Sequence, residues 1–199
     1  MRHLVILSHP DPESFNASVA STYVGAARGR GVLAELRDLY ALGFDPRLPA
    51  QELPWRRDFA LRDDVVAERA ALTTADVIVF VYPLWFNAPP AMLKGYAERV
   101  LGMGFGYESA ALGTRPLLGD KRLVTISTSG APEAWVDQTG ALQRLRAGFD
   151  DHIGAVCGLR VLEHLHLGGV TPGIRADAAE AMLDQVRDLA QKVSSPVSA

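Results

Sequence analysis

Three stretches of this 199-residue chain carry residue types that bind and orient small molecules, and each follows an apolar run. The first is SHPDPESFN, at 8–16. It leads into a segment of helical spacing. The first N–H groups of a helix lack intrahelical acceptors and sit at the positive end of its dipole, so they attract phosphate. His9, Ser14, Asn16 and Ser18 add side-chain donors there. The second stretch is PLWFNAPP, at 83–90, where three prolines surround the adjacent aromatics Trp85 and Phe86. Prolines fix φ and donate no backbone hydrogen bond, which makes the loop stiff, and Pro90 can open the next helix. The third is TSGAPEAW, at 128–135, whose Thr128, Ser129, Gly130 and Ala131 are small enough to let a ring approach the backbone. Each stretch also has a plainer use. Ser14 and Asn16 are good helix caps, and Trp85 and Phe86 suit a core beneath a loop. The residues alone leave both uses open.

The elements that must position these stretches follow from periodicity. HLVILS (3–8), VLAELRDLY (32–40), VIVFVY (77–82), RLVTISTSG (122–130) and LRVLEHLHL (159–167) read as strands, the third so uniformly apolar that it belongs in the middle of a sheet. Between them ASVASTYVGAARGRG, DVVAERAALTT, MLKGYAERV, LQRLRAGFDDHIGAVC and ADAAEAMLDQVRDLAQKV read as helices. Residues 41–64 show no dominant period, and a connection that long in a compact domain usually has a job. MGFGYESAALGTRPLLGDK, at 103–121, reads as irregular. Alternating strands and helices predict a doubly wound parallel α/β sheet, and right-handed crossovers leave the flavodoxin-like order 2-1-3-4-5. That order sets the ends of strands one, three and four side by side, so the three stretches meet. A single domain is expected over 1–193, with a frayed tail at 194–199.

Four segments, in order, resemble the flavodoxin-fold NAD(P)H:quinone oxidoreductases, the DT-diaphorase-like family: SHPDPESFN, DLYALGFDP (38–46), YPLWFNAPPAMLKGYAERV (82–100) and GFGYE (104–108). TSGAPEAW is a looser match. The resemblance implies a bound flavin, FAD in preference to FMN, with NAD(P)H as co-substrate and a quinone or similar acceptor. It implies that His9, Phe15 and Asn16, with Ser18 nearby, hold the pyrophosphate. Pro83, Leu84, Trp85, Phe86 and Asn87 would border the ring with backbone N–H groups, and Thr128, Ser129, Gly130 and Ala131 would cover its pyrimidine side. Arg175 would contact the adenosine phosphate. Tyr107 would line the substrate pocket, often that of the other subunit in a homodimer, with Trp135 near the same pocket. Hydride would pass from NAD(P)H to the flavin and then to an acceptor on the same free face, with ping-pong kinetics.

The chain departs from the family in two places. Asn87 stands where relatives carry an aromatic. Trp135 or Val136 stands where a relay Tyr is expected, and no His follows, so no catalytic side chain is carried over. Asp137 is a conceivable substitute but reads better as a helix cap.

Composition excludes other classes. A net charge of −3 gives no basic footprint for nucleic acid, and no apolar run is long enough for a membrane helix. No GxGxxG or GxxxxGK[ST] occurs, so neither a Rossmann fingerprint nor a triphosphate loop is supported. The single cysteine, Cys157, excludes an internal disulfide and reads as a buried inert thiol, and with no leader visible a cytoplasmic home is the default. His164 and His166 share a strand face but lack a third ligand, so they read as edge or interface residues and no metal is expected. Two further classes compete with the enzyme. One is an ancillary regulatory flavoprotein of a potassium-efflux system, to which some relatives belong. The other is an electron shuttle, disfavoured by the mild charge and by the lack of a mononucleotide-type first loop.

Overall fold

Val77–Pro83 is buried at every position, and the rest of the fold is laid out on both sides of it. The structure, a computed structural model, describes residues 1–195. Five parallel strands form the main sheet: β1 (Arg2–Leu7), β2 (Leu33–Asp38), β3 (Val77–Pro83), β6 (Arg122–Ser129) and β7 (Arg160–Gly168), in the spatial order β2-β1-β3-β6-β7. This is the flavodoxin-like pattern 2-1-3-4-5 once the sheet's strands alone are counted. The parallel register pairs Val5 with Val79 and Val79 with Val124.

Side chains alternate along β3 and divide the core in two. Ile78, Phe80 and Tyr82 join one cluster, under α2 (Asp63–Thr73), α3 (Ala91–Val100) and α6 (Asp151–Cys157). Val77, Val79 and Val81 join the other, under α1 (Phe15–Gly29) and α7 (Ala176–Ser194). A sheet covered on both faces requires apolar residues at consecutive positions, which is why VIVFVY reads as it does. Ser14 caps α1 as expected, its Oγ accepting from Ala17 N–H at 3.2 Å. Pro90 occupies the residue just before α3, not its first turn.

Two expectations need correction. Residues 103–121 are not wholly irregular: β4 (Tyr107–Ala110) and β5 (Gly113–Pro116) pair antiparallel as a hairpin outside the main sheet. The β-forming Tyr107 and Thr114 lie among glycines that had masked them. The helix at 142–157 is also not uniform. Between α5 (Ala141–Leu145) and α6 it widens into a π turn over Arg146–Asp150, and a separate short helix, α4 (Glu133–Gln138), precedes it. The closing helix reaches Ser194, with Ser195 a bend beyond it; the rest of the tail expected to fray lies outside the described residues.

The long 41–64 connection has a structural job. Its Glu52 and the start of α2 converge on Arg99 of α3, whose side chain is fully buried. The guanidinium donates to Glu52 (2.8 and 2.6 Å), to Asp64 (2.6 and 2.8 Å) and to the carbonyl of Asp45, and lies 5.0 Å from the Phe44 ring centroid. Arg99 holds the Asp64 carboxyl below its usual value, against the opposing effect of burial. Gly95, one turn earlier on α3, makes room for the connection: a Cβ there would sit 2.1 Å from the Pro46 carbonyl oxygen. Breaking a buried pair leaves charges without a counter-ion, which costs on the order of 3–5 kcal/mol. We expect Arg99→Leu to lower unfolding stability by about that amount in urea titrations. Loss below 1 kcal/mol would mean that the loop is held by packing alone.

Candidate active site

The three loops meet because their strands are neighbours. Ser8 N–H donates to Val81 O (3.0 Å), and Leu84 N–H donates to Thr128 O (2.7 Å), so the sheet ladder continues to the point where each loop departs. Side chains then join the loops. Asn16 Nδ2 donates to Thr128 Oγ1 at 3.0 Å, and the His9 and Trp85 rings lie 6.0 Å apart. Loops one and three are therefore stitched by a hydrogen bond, and loops one and two touch.

That stitching changes the role of Asn16. Its side chain is 3% exposed and turned inward to Thr128, itself 2% exposed, so the amide expected to hold phosphate instead holds two loops together. Ser18 is exposed one turn into α1, away from this contact. The donors the first loop does offer are the Phe15 and Asn16 N–H groups, which as first-turn groups have no helical acceptor. Phe15 packs its ring against the core. His9 Nδ1 lies 3.1 Å from Asp11 N and 3.2 Å from Asp11 O, which leaves Nε2 as the ring nitrogen without a partner among the described residues.

The second loop is strained. Trp85 and Ala88 exchange backbone hydrogen bonds, both 3.1 Å, and between them Phe86 (φ 53°) and Asn87 (φ 55°) lie in the left-handed region. Asn tolerates that backbone; Phe does so at a cost of about 1–3 kcal/mol. The Phe86 ring is fully exposed and Trp85 is 44% exposed, so neither serves as core beneath the loop. Trp85 N–H is committed to closing the turn, which leaves the Phe86 and Asn87 N–H groups as the loop's outward donors. Asn87 Nδ2 donates to Ala141 O at 3.2 Å, tying the loop to α5. Pro83 is buried as the last residue of β3, and Leu84 is half-buried behind the loop.

A cleft of about 380 Å³ lies between the second and third loops, lined among others by Leu84, Asn87, Ser129, Gly130, Ala131 and Trp135. Trp135 is 56% exposed on α4. Gly168 lets α4 start there, because a Cβ would fall 2.4 Å from Glu133 N. Asp137 lies inside α4 and caps nothing.

Two expected site residues are not brought to the cleft. Arg175 precedes α7, 82% exposed and paired to Asp177 at 2.8 Å. Tyr107 is half-buried on β4 at the other end of the sheet. Past β5, Leu118 N–H donates to Cys157 O (2.9 Å), and Cys157 ends the helix that delivers the chain to the start of β7. The chain leaving the hairpin is therefore held near the start of β7, where α6 ends. Cys157 is 3% exposed, and burial pushes its thiol up to about 11, as suits an inert core residue.

His164 and His166 lie on β7, the edge strand of the sheet, yet they are buried. They are 8% and 5% exposed, and lie in a hydrogen-bonded row with Thr125, Ser127, Ser129 and Asp150. The sequence signal was the alternation: Thr125, Ser127 and Ser129 on one strand and His164 and His166 on the next all have the parity of one sheet face.

A flavodoxin-like sheet with three ligand-type loops at its carboxyl end defines a class of nucleotide-cofactor α/β proteins. Residues 1–192 match the family described as having the flavodoxin-like fold, and the chain belongs to that family. An uncharacterized NAD(P)H oxidoreductase of Haemophilus influenzae is 31% identical over 100% of this chain and 97% of its own. NAD(P)H dehydrogenase [quinone] 1 of Rattus norvegicus is 29% identical, covering 90% of this chain and 74% of its own. The solved NAD(P)H:quinone oxidoreductase of Methanothermobacter marburgensis superposes with a TM-score of 0.87 at 25% identity, over 100% of this chain and 99% of that one. The resemblance seen in four segments thus extends along the whole chain, and the relatives it matches are named as NAD(P)H oxidoreductases, two of them acting on quinones. Among the described residues no helix is long and apolar enough to cross a membrane.

Burial lowers His166 to about 4, helped by the neighbouring His164, and lowers His3 to about 4, helped by Arg122. His3 is completely buried beside Tyr23, whose hydroxyl lies 3.1 Å from Nδ1. Both rings stay neutral in the folded protein at pH values where the unfolded chain, with its ordinary value of 6.5, takes up protons. Their stability contribution is therefore complete above pH 6.5 and lost as pH falls towards 4. We expect the urea midpoint to decline across that window, and less steeply in His3→Gln. An equal slope in the variant would remove His3 from the account.

Proposed function

We propose that the protein reduces quinones or similar acceptors with NAD(P)H through a bound flavin, FAD in preference to FMN. The observation that carries this reading is the strained Phe86–Asn87 turn. It presents two outward N–H groups and an exposed ring beside a cleft walled by the small residues Ser129, Gly130 and Ala131. Such a cradle fits a flat heteroaromatic ring whose edge carries acceptors. The free N–H groups at the start of α1, with His9 Nε2, suit its phosphates.

A bound flavin would supply the two-electron chemistry, taking hydride from NAD(P)H and giving it to the acceptor. The protein's own tasks are separate. The Phe86 and Asn87 N–H groups would stabilise negative charge at the ring edge. The proline-stiffened loop would pack one side of the ring, leaving the other for both substrates in turn. Arg175 would approach the adenosine phosphate only after releasing Asp177.

Purified protein should be yellow, with FAD found by mass spectrometry of the heat-released cofactor. FMN alone would refute that choice. A colourless protein that cannot take up flavin would remove the whole site, and a yellow protein that does not reduce an acceptor with NAD(P)H would favour the ancillary-flavoprotein reading. Shared use of one face should give ping-pong kinetics with bleaching by NAD(P)H before acceptor is added. A kinetically required ternary complex would overturn that order.

We also propose a homodimer. Tyr107 packs against the core and does not line its own chain's cleft, and Trp55 and Phe59 of the long connection are 76% and 43% exposed. A two-fold partner would bring Tyr107 to the opposite site. Light scattering should report a dimer at micromolar concentration, and Tyr107→Phe should raise KM for the quinone more than for NAD(P)H. A fully active monomer would remove the idea. The cytoplasmic home expected from the sequence stays part of this reading.

A further inference from the structure

Between β6, β7 and the π turn lies an unbroken row of buried polar groups that ends at the cleft. Asp150, completely buried on the π turn, accepts from Thr125 Oγ1 (3.0 Å) and meets His164 Nδ1 at 2.5 Å. His164 Nε2 meets Ser127 Oγ at 2.7 Å, Ser127 Oγ meets His166 Nδ1 at 2.8 Å, and His166 Nε2 meets Ser129 Oγ at 3.0 Å. Ser129 Oγ lies 2.9 Å from Ala131 O, and both residues line the cleft. Each serine has one proton and sits between two possible acceptors, so the proton positions are constrained.

With Asp150 ionised and His166 kept neutral by its burial, only two arrangements satisfy the whole row. In the first, both histidines are neutral. His164 Nδ1–H donates to Asp150, Ser127 donates to His164 Nε2, His166 Nδ1–H donates to Ser127, and Ser129 donates to His166 Nε2. In the second, one proton has been added and every mobile hydrogen bond has reversed. His164 is an imidazolium against Asp150, His164 Nε2–H donates to Ser127, Ser127 donates to His166 Nδ1, His166 Nε2–H donates to Ser129, and Ser129 donates to Ala131 O. Ala131 O is not orphaned in the first arrangement, because Gly169 N–H donates to it at 2.8 Å. The two forms differ by one proton that enters or leaves at Ser129 Oγ. His166 stays neutral in both but changes tautomer.

We propose that this row is a one-proton store that opens into the active-site cleft and supplies a proton to the acceptor during its reduction. The role rests on the quinone-reductase reading; the switch itself does not. Two-electron reduction of a quinone to hydroquinone takes two electrons and two protons. NAD(P)H supplies the electron pair and one proton as hydride, so one further proton must arrive. On discharge the Ser129 O–H bond breaks as the acceptor oxygen is protonated. Ser129 is reprotonated from His166 Nε2, His166 Nδ1 from Ser127, and Ser127 from His164 Nε2, which leaves His164 neutral. The inner end is closed, because Thr125 and Asp150 are completely buried, so the store refills from solvent through the cleft. The charged and titratable groups around the row are Asp150 on the π turn, Asp137 on α4 and Tyr82 on β3. Burial and the Asp150 carboxylate hold the Tyr82 phenol well above its usual value, so it stays neutral. Burial likewise keeps His166 neutral, as both arrangements require.

The test is side-chain nitrogen NMR of the purified full-length protein across pH 5 to 9. We expect one titration, in which His164 becomes an imidazolium on lowering the pH while His166 stays neutral and passes from Nδ1–H to Nε2–H. Ser127→Ala should uncouple the two rings, and Ser127→Thr should restore the coupling. Thermal melts establish that each variant is folded. A His166 ring that keeps one tautomer throughout, or that still switches in Ser127→Ala, would overturn the store. Its role is read by reoxidising NAD(P)H-reduced protein with a water-soluble benzoquinone. Ser127→Ala should slow this step about tenfold or more and make it depend on buffer-acid concentration, as when an internal general acid is replaced by an external one. Reoxidation of Ser127→Ala at the normal rate, without buffer dependence, would overturn the role while leaving the tautomer result standing. A protein that does not oxidise NAD(P)H at all would refute the functional reading, and with it the role, and leave the switch to be decided by NMR.

Discussion

The structure depends on β3 being hydrogen bonded on both sides to its last residues. β1 and β6 pair with it in parallel, and the ladder runs through Ser8 and Leu84, the residues at which two loops depart. Parallel pairing makes neighbouring strands end at the same level, and the spatial order makes the ends of β1, β3 and β6 consecutive. Convergence of the loops is thus a property of the backbone. The side chains refine it: the Asn16–Thr128 pair joins α1 to β6 across the end of β3.

This rigidity is what sustains strain at Phe86 and Asn87. A left-handed Phe whose ring is wholly in solvent gains nothing from packing, so its backbone must be held by its surroundings. The Trp85–Ala88 bridge closes the turn, Pro89 and Pro90 restrict the exit, and Asn87 is anchored on Ala141. Asn at position 87 relieves one of two strained positions and creates an attachment to α5 that an aromatic side chain lacks. On the opposite side of the fold Arg99 does the comparable work for the 41–64 connection. There an apolar substitute would have no means of collecting two carboxylates and a carbonyl into one place.

The sheet was legible because each strand's burial is written in local composition. VIVFVY is apolar at both parities, and only a strand buried on both faces tolerates that. The three loops were legible for the same reason: their prolines, glycines and polar residues interrupt strong periodic signals. What escaped is what depends on a partner distant in sequence. Asn16 looks like a cap or a phosphate ligand until Thr128 is placed beside it. Arg99 looks like a surface residue in AERV until Glu52 arrives. His164 and His166 look like edge or interface residues because no partner is visible near them in sequence; they are buried on the edge strand where Asp150 of the π turn meets them. The hairpin at Tyr107 was hidden by glycines that weaken any strand signal, although the β-forming residues between them were visible.

Alternation on β6 divides two tasks between adjacent residues. Thr128 points to the α1 face, where it receives Asn16 and holds the loops in place. Ser127 and Ser129 point to the opposite face, where they join the histidines. One strand end thereby builds the cleft from one side and supplies it with a hydrogen-bonded row from the other. The two tasks share no side chain, yet they share a register. A slip of one residue in the β3–β6 ladder would exchange them, turning the serines towards α1 and Thr128 towards His166. The β6–β7 ladder does shift once, between Leu123 and Val124, before this segment begins. From Val124 onward the pairing is regular, so Thr125–His164 and Ser127–His166 are opposed across the strands as the row requires. The irregularity near the start of the sheet is therefore part of what aligns the polar row at its end.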